Sequence, residues 1–107
     1  MSPEMITLTQ EQKEDLIHAI NDKKYRPDVM YRKDMREYTL VRGGNNYSIE
    51  AYNNQRRVIK YNGEIIADSA TFGTNMGQLK QLNFILSLLI TRLTTDVNNA
   101  VRSGKRR

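Results

Sequence analysis

The chain has 107 residues, no cysteine and one histidine, which is the length of a single domain and excludes disulfides, thiolate metal sites and histidine-rich zinc sites. Its longest apolar run, 84–90 with Ser87 inside it, is far short of the roughly 20 residues that span a bilayer. The formal charge of +5 is unevenly placed: one Lys and five acids give −4 over 1–22, ten Lys/Arg and four acids give +6 over 23–61, two and three give −1 over 62–101, and four basic residues give +4 over 102–107.

Local positive potential, rather than the total, is what an anionic partner responds to, so the middle third and the last six residues are where such a partner is expected. The first 20 residues are acidic and lack a basic start followed by an apolar core, the pattern of a secretory signal. The expectation is a soluble, intracellular (cytoplasmic) protein with no membrane contact.

Thr9-Gln10-Glu11-Gln12 fits a capping box, and Leu16, Ile17 and Ile20 with Ala19 make a narrow apolar stripe. A helix of about four turns from Thr9 to Lys23 is expected, with acids early and lysines late to suit the macrodipole. His18 lies beside the stripe and reads as a half-exposed surface residue.

Between Tyr25 and Arg36, Pro27 biases Arg26 away from helix. Val29-Met30-Tyr31 suits a short strand, or Pro27-Asp28 opens one helical turn. Here Arg26, Arg32, Lys33 and Arg36 alternate with Tyr25, Tyr31 and Tyr38, a mixture that suits single-stranded nucleic acid because cations meet phosphates and rings stack on bases. The plainer reading is a basic loop whose tyrosines tuck against the first helix.

From Glu37 the period becomes two. Glu37–Arg42, Tyr47–Tyr52, Arg56–Tyr61 and Glu64–Ser69 read as four short strands rich in Val, Ile, Thr and Tyr. Asn62-Gly63 demands a two-residue type I′ turn, which sets Tyr61 opposite Glu64, Ile59 opposite Ile66, Val58 opposite Ala67 and Arg57 opposite Asp68. With two residues in the loop at 53–54, Glu50, Arg57 and Asp68 form a charged stripe on the solvent side, and Tyr38, Leu40, Ile49, Ala51, Val58, Ile65 and Ala67 line the inner face. A three-residue loop shifts the last two strands by one face.

Asn75 with Gln78 makes an N-cap for a long helix, Gln78 to Val101. Leu79, Leu82, Leu86, Leu89 and Leu93 recur at three and four, one helical face. Phe84, Ile85 and Leu88 point progressively away from that stripe, so a second covered face is expected; a homodimer through Phe84, Ile85 and Leu88 is its expected cover, the alternative being the first helix and the 25–36 segment within a monomer.

The acids are scattered over separate elements, with no dense pair for acid–base work or magnesium, and Gly73 and Gly77 are too few and too far apart for a phosphate loop. No enzyme and no cofactor is expected.

The expected architecture is α+β: N-terminal helix, antiparallel four-stranded meander, and a long C-terminal helix packed on the sheet, forming one domain over 1–101 with a basic disordered tail over 102–107. This element order is similar to that of the double-stranded-RNA-binding domain and of the small αβββα proteins of the signal recognition particle. The likeness is topological: where the first family meets phosphates with a lysine-rich entry to its last helix, Gly77-Gln78-Leu79-Lys80 supplies one lysine.

Two functions follow. The first is a basic, dimeric nucleic-acid binder, of RNA or single strands, with Arg32, Lys33, Arg36, Arg56, Arg57 and Lys60 as cations. Tyr31, Tyr52 and Tyr61 would be its stacking surfaces, and Lys105, Arg106 and Arg107 would add nonspecific phosphate contacts. The second is a protein-interaction module, such as a phage or mobile-element inhibitor or adaptor docking on a host protein.

Overall fold

The computed structural model describes residues 5–104, with side chains through residue 95. Its elements are α1 (Gln10–Asn21), β1 (Asp28–Tyr31), β2 (Met35–Arg42), β3 (Asn45–Tyr52), β4 (Arg57–Tyr61), β5 (Glu64–Asp68), a 3₁₀ turn (Ser69–Thr71) and α2 (Met76–Gly104). The α+β plan is the expected one, but the antiparallel meander has five strands in the order β1-β2-β3-β4-β5. The added strand, β1, comes from the Val29-Met30-Tyr31 stretch and pairs with β2 from Asp28 opposite Thr39 to Tyr31 opposite Arg36.

Both helices begin where their caps place them. Thr9 Oγ1 accepts from the Gln12 N–H at 3.1 Å and Gln12 Oε1 accepts from the Thr9 N–H at 2.9 Å, a complete capping box. Asn75 Oδ1 accepts from the Gln78 N–H at 3.1 Å, and α2 starts at Met76. At its far end α2 continues to Gly104, so residues 102–104 lengthen the helix instead of opening a tail; Lys105, Arg106 and Arg107 lie outside the described residues.

The register of the sheet differs from the expected one at two places. The β3–β4 loop has three residues, 53–55, and Gln55 adopts φ 78°, the left-handed position that closes a three-residue hairpin. Glu50 therefore faces Val58, and Ala51 faces Arg57. Across the Asn62-Gly63 turn Tyr61 faces Glu64 as expected, but a bulge then admits Ile66 as an extra residue, so Ile59 faces Ala67 and Val58 faces Asp68.

The core follows from this register. Tyr38, Leu40, Tyr47, Ile49, Ile59 and Ala67 turn to the helices, where they meet Leu16, Ala19 and Ile20 of α1 and Leu82, Ile85, Leu86 and Leu89 of α2. Ala51 packs at its margin. Val58 and Ile65, expected inside, take the opposite face: Val58 is buried there between Glu50 and Asp68, and Ile65 is exposed. One added loop residue moved Val58 across the sheet, because strand side chains alternate.

Candidate functional site

The expected nucleic-acid residues fall on four different surfaces. On the sheet face away from the helices the cations already have carboxylate partners. Arg56 grips Asp68 through two bonds, Nε to Oδ1 at 3.1 Å and Nη2 to Oδ2 at 2.7 Å, while its guanidinium lies 5.6 Å from the Tyr52 ring centre. Glu50 accepts from the Tyr52 hydroxyl at 2.8 Å and pairs with Lys60 at 3.1 Å. Glu37 accepts from Arg32 Nη2 at 2.8 Å and from Ser48 Oγ at 3.2 Å.

These contacts set the protonation of the acids. Hydrogen bonds from Arg56 hold the Asp68 carboxyl below the usual carboxylate range against the opposing effect of burial, with the Ala70 N–H assisting. Glu37 is lowered in the same way, chiefly by Arg32. Tyr52 is pushed up by its bond to Glu50. A face whose cations are matched one by one by carboxylates presents little net potential to phosphate.

Tyr61 sits on the other side of the sheet, its ring 4.8 Å from that of Tyr47, whose hydroxyl donates to Asp15 of α1. Burial, followed by that bond, raises Tyr47 well above the ordinary phenol. Tyr31 stands free at the edge strand, 73% exposed, with Lys33 exposed in the turn that follows.

Arg36 and Arg57 are placed apart from all of these. They flank Ala51 in one row, Arg36 opposite Ala51 on β2 and Arg57 opposite it on β4, on the helix-covered face of the sheet. There they line a cleft of about 410 Å³ whose other walls include Tyr38, Leu86 and Ile90 and, at the loop end, Tyr52, Asn53 and Gln55. A second, more apolar cleft of about 280 Å³ adjoins it, shares Arg36, Tyr38 and Ile90, and runs between Val29 and Tyr31 of β1 and Leu93 of α2. Together they form a groove along the flank of α2, open at the β1 side.

Among the described residues no Asp or Glu lines either cleft. Arg57 is held by backbone carbonyls, its Nη1 donating to Tyr52 O at 3.0 Å and to Arg56 O at 3.1 Å, while its Nε is buried with no partner among the described residues. Burial, with Arg36 nearby, makes Arg57 less basic than an ordinary arginine, and Tyr38 partly offsets this. Sequence reasoning named both arginines as cations but could not see that, among the described residues, these two sheet cations lack an acid, because that depends on the register.

The residues expected at a dimer interface also separate. Ile85 is fully buried among the core residues, Leu88 packs partly against the core, and Phe84 is 51% exposed on the outer side of α2. The inward stripe of α2 is therefore wider than its leucines, and Ile85 belongs to it. Among the described residues no three His, Asp or Glu side chains converge in a way that could hold a metal ion, and no helix is long and apolar enough to cross a membrane. No protein-family model, curated protein or solved structure matches this chain.

Proposed function

We propose that the protein is a small non-enzymatic interaction module that docks an acidic segment of a partner protein in the groove between α2 and strands β1–β4 of the sheet. The observation that carries this reading is the charge balance of the groove. Arg36 and Arg57 face a cleft to which no described residue contributes a carboxylate, while Arg32, Arg56 and Lys60 on the opposite face are each matched by an acid. Among the walls beside the arginines, Leu86, Ile90, Leu93 and Val29 are aliphatic, which favours a segment carrying both acidic and branched apolar side chains.

Fluorescence anisotropy with labelled peptides of alternating Leu and Glu tests the reading against the same peptides with Lys for Glu. The acidic peptides are expected to bind and the basic ones not, and Ile90→Asp is expected to abolish binding by placing a carboxylate in the groove wall. Equal binding of both peptide sets, or binding indifferent to Ile90→Asp, overturns it.

A second reading, binding of RNA or single strands, is favoured by one observation: Tyr31 is 73% exposed beside Arg32 and Lys33, where a base could stack. In the same assay single-stranded RNA and DNA, with a chain ending at Val101 alongside, separate it. Tight binding that survives loss of the last six residues and falls with Tyr31→Ala would put this reading first.

A further inference from the structure

We infer that Arg57 and Arg36 form a carboxylate subsite at the end of the groove, in which an aliphatic-stemmed carboxylate occupies the Nε–Nη2 edge of Arg57 and displaces the side chain of Gln55. This deepens the docking reading and rests on it for the larger partner, though not for the subsite itself.

A guanidinium presents distinct edges to its partners, and the Nε–Nη2 edge matches the two oxygens of a carboxylate. The neighbouring residue displays this match: Arg56 holds Asp68 by that same edge, through Nε and Nη2. In Arg57 the Nη1 side is taken by the Tyr52 and Arg56 carbonyls. The equivalent edge holds nothing comparable, since Nε has no partner among the described residues and Nη2 makes only a 3.4 Å contact with Gln55 Oε1. A charged N–H that has lost water without gaining an acceptor is unfavourable, and a ligand that supplies the acceptor recovers that loss.

Gln55 is suited to give way. Its side chain is exposed, it stands on the loop rather than in a strand, and its one bond to the guanidinium is at the long limit for a hydrogen bond. Arg36, exposed and without a hydrogen bond or ion pair to any described residue, supplies the second positive charge from across Ala51. Burial, and to a lesser extent the charge of Arg36, disfavours the cationic form of Arg57, and an anion between the two guanidiniums relieves that repulsion. Leu86 and Ile90 on α2 form an aliphatic wall of the same cleft, against which a branched aliphatic stem can lie.

Nitrogen-15 spectra of the arginine Nε–Hε groups on the full chain test this, with isovalerate as probe, isovaleramide as its neutral counterpart and inorganic phosphate as a competing anion. Loss of one signal in Arg57→Lys identifies the resonance. It is expected to move saturably with isovalerate and not with isovaleramide, and Arg36→Gln, on an exposed residue, is expected to weaken the titration about tenfold. Gln55→Glu supplies a carboxylate from within the chain: it should shift the Arg57 signal without ligand and block the isovalerate response.

An Arg57 signal that isovalerate leaves unmoved, in a protein whose backbone spectrum shows it folded, overturns the subsite. Equal saturation by phosphate overturns the assignment to carboxylates. N-acetyl-leucine and N-acetyl-glutamate α-amide separate a chain-terminal from a side-chain carboxylate, the tighter of the two naming the source. Isovalerate binding without acidic-peptide binding would uphold the subsite and sink the docking reading. Peptide binding lost with Ile90→Asp but untouched by Arg36→Gln and Arg57→Lys would do the reverse.

Discussion

Arg92 of α2 closes the end of α1: its Nη1 donates to the Ile20 carbonyl at 2.6 Å, joining residues 72 positions apart. The same guanidinium reaches the Asp22 carbonyl at 3.3 Å and, through Nη2, the Tyr25 carbonyl at 2.8 Å. The last carbonyls of a helix have no partner of their own and carry the negative end of its dipole, so a cation placed there satisfies both. It also fixes the path of the chain from α1 toward β1.

Arg92→Met keeps most of the apolar stem and leaves those carbonyls without their charged donor. It is expected to destabilise by about 2 kcal/mol, with Arg92→Lys recovering part of the loss. Urea denaturation of the three proteins measures this; an Arg92→Met midpoint equal to that of the parent would refute the capping role.

The two flanks of α2 are expected to respond in opposite ways. Ile85→Ala removes buried atoms from the core and should cost about 2–5 kcal/mol. Phe84→Ser changes a half-exposed ring and should stay within about 0.5 kcal/mol. Ile85 is enclosed, Leu88 half-enclosed and Phe84 half-exposed, so of the three residues expected at an interface Phe84 presents most of its surface outward. Light scattering is therefore expected to give the mass of a monomer at tens of micromolar, and a dimer mass that Phe84→Glu reduces would restore the interface expected from the sequence.

Acid should unfold the protein partly through Asp68. Its carboxyl binds a proton less readily in the folded state than in the unfolded chain, so the unfolded chain takes up protons first as pH falls. The contribution is present above the ordinary carboxylate value near 4 and is lost as pH drops through the lowered folded value. Asp68→Asn should cost about 2 kcal/mol at pH 7, a figure reduced from that of a fully buried pair because Arg56 is 40% exposed. It should also flatten the acid limb of a stability–pH profile; an unchanged limb would show that other carboxyls set it.

Gln55 holds φ 78°, a conformation that costs a residue with a Cβ about 1 kcal/mol or more. Gln55→Gly is thus expected to raise stability by about 0.5–1 kcal/mol, the gain in the folded state being offset in part by a freer unfolded chain. Thermal unfolding reads the difference, and a lower midpoint for the glycine protein would show that the side chain of Gln55 contributes more than its backbone strain removes.

Much of this molecule was determined by its sequence alone, wherever the deciding interactions were local. The caps at Thr9 and Asn75 bond to residues three positions on, the leucine spacing of α2 set its inward face, and Asn62-Gly63 fixed its own turn, each within a few residues of chain. What only the tertiary structure decided turned on small local differences with long-range effects. One residue more in the 53–55 loop sent Val58 to the far side of the sheet, and the bulge at Ile66 handed Asp68 to Arg56 in place of Arg57. Since strand side chains alternate and charges pair across neighbouring strands, these two steps neutralised one set of cations and left Arg36 and Arg57 facing a cleft to which no described residue brings an acid. The residue types of the candidate site were legible in the chain; which of them remained free to bind was settled by the register of the sheet.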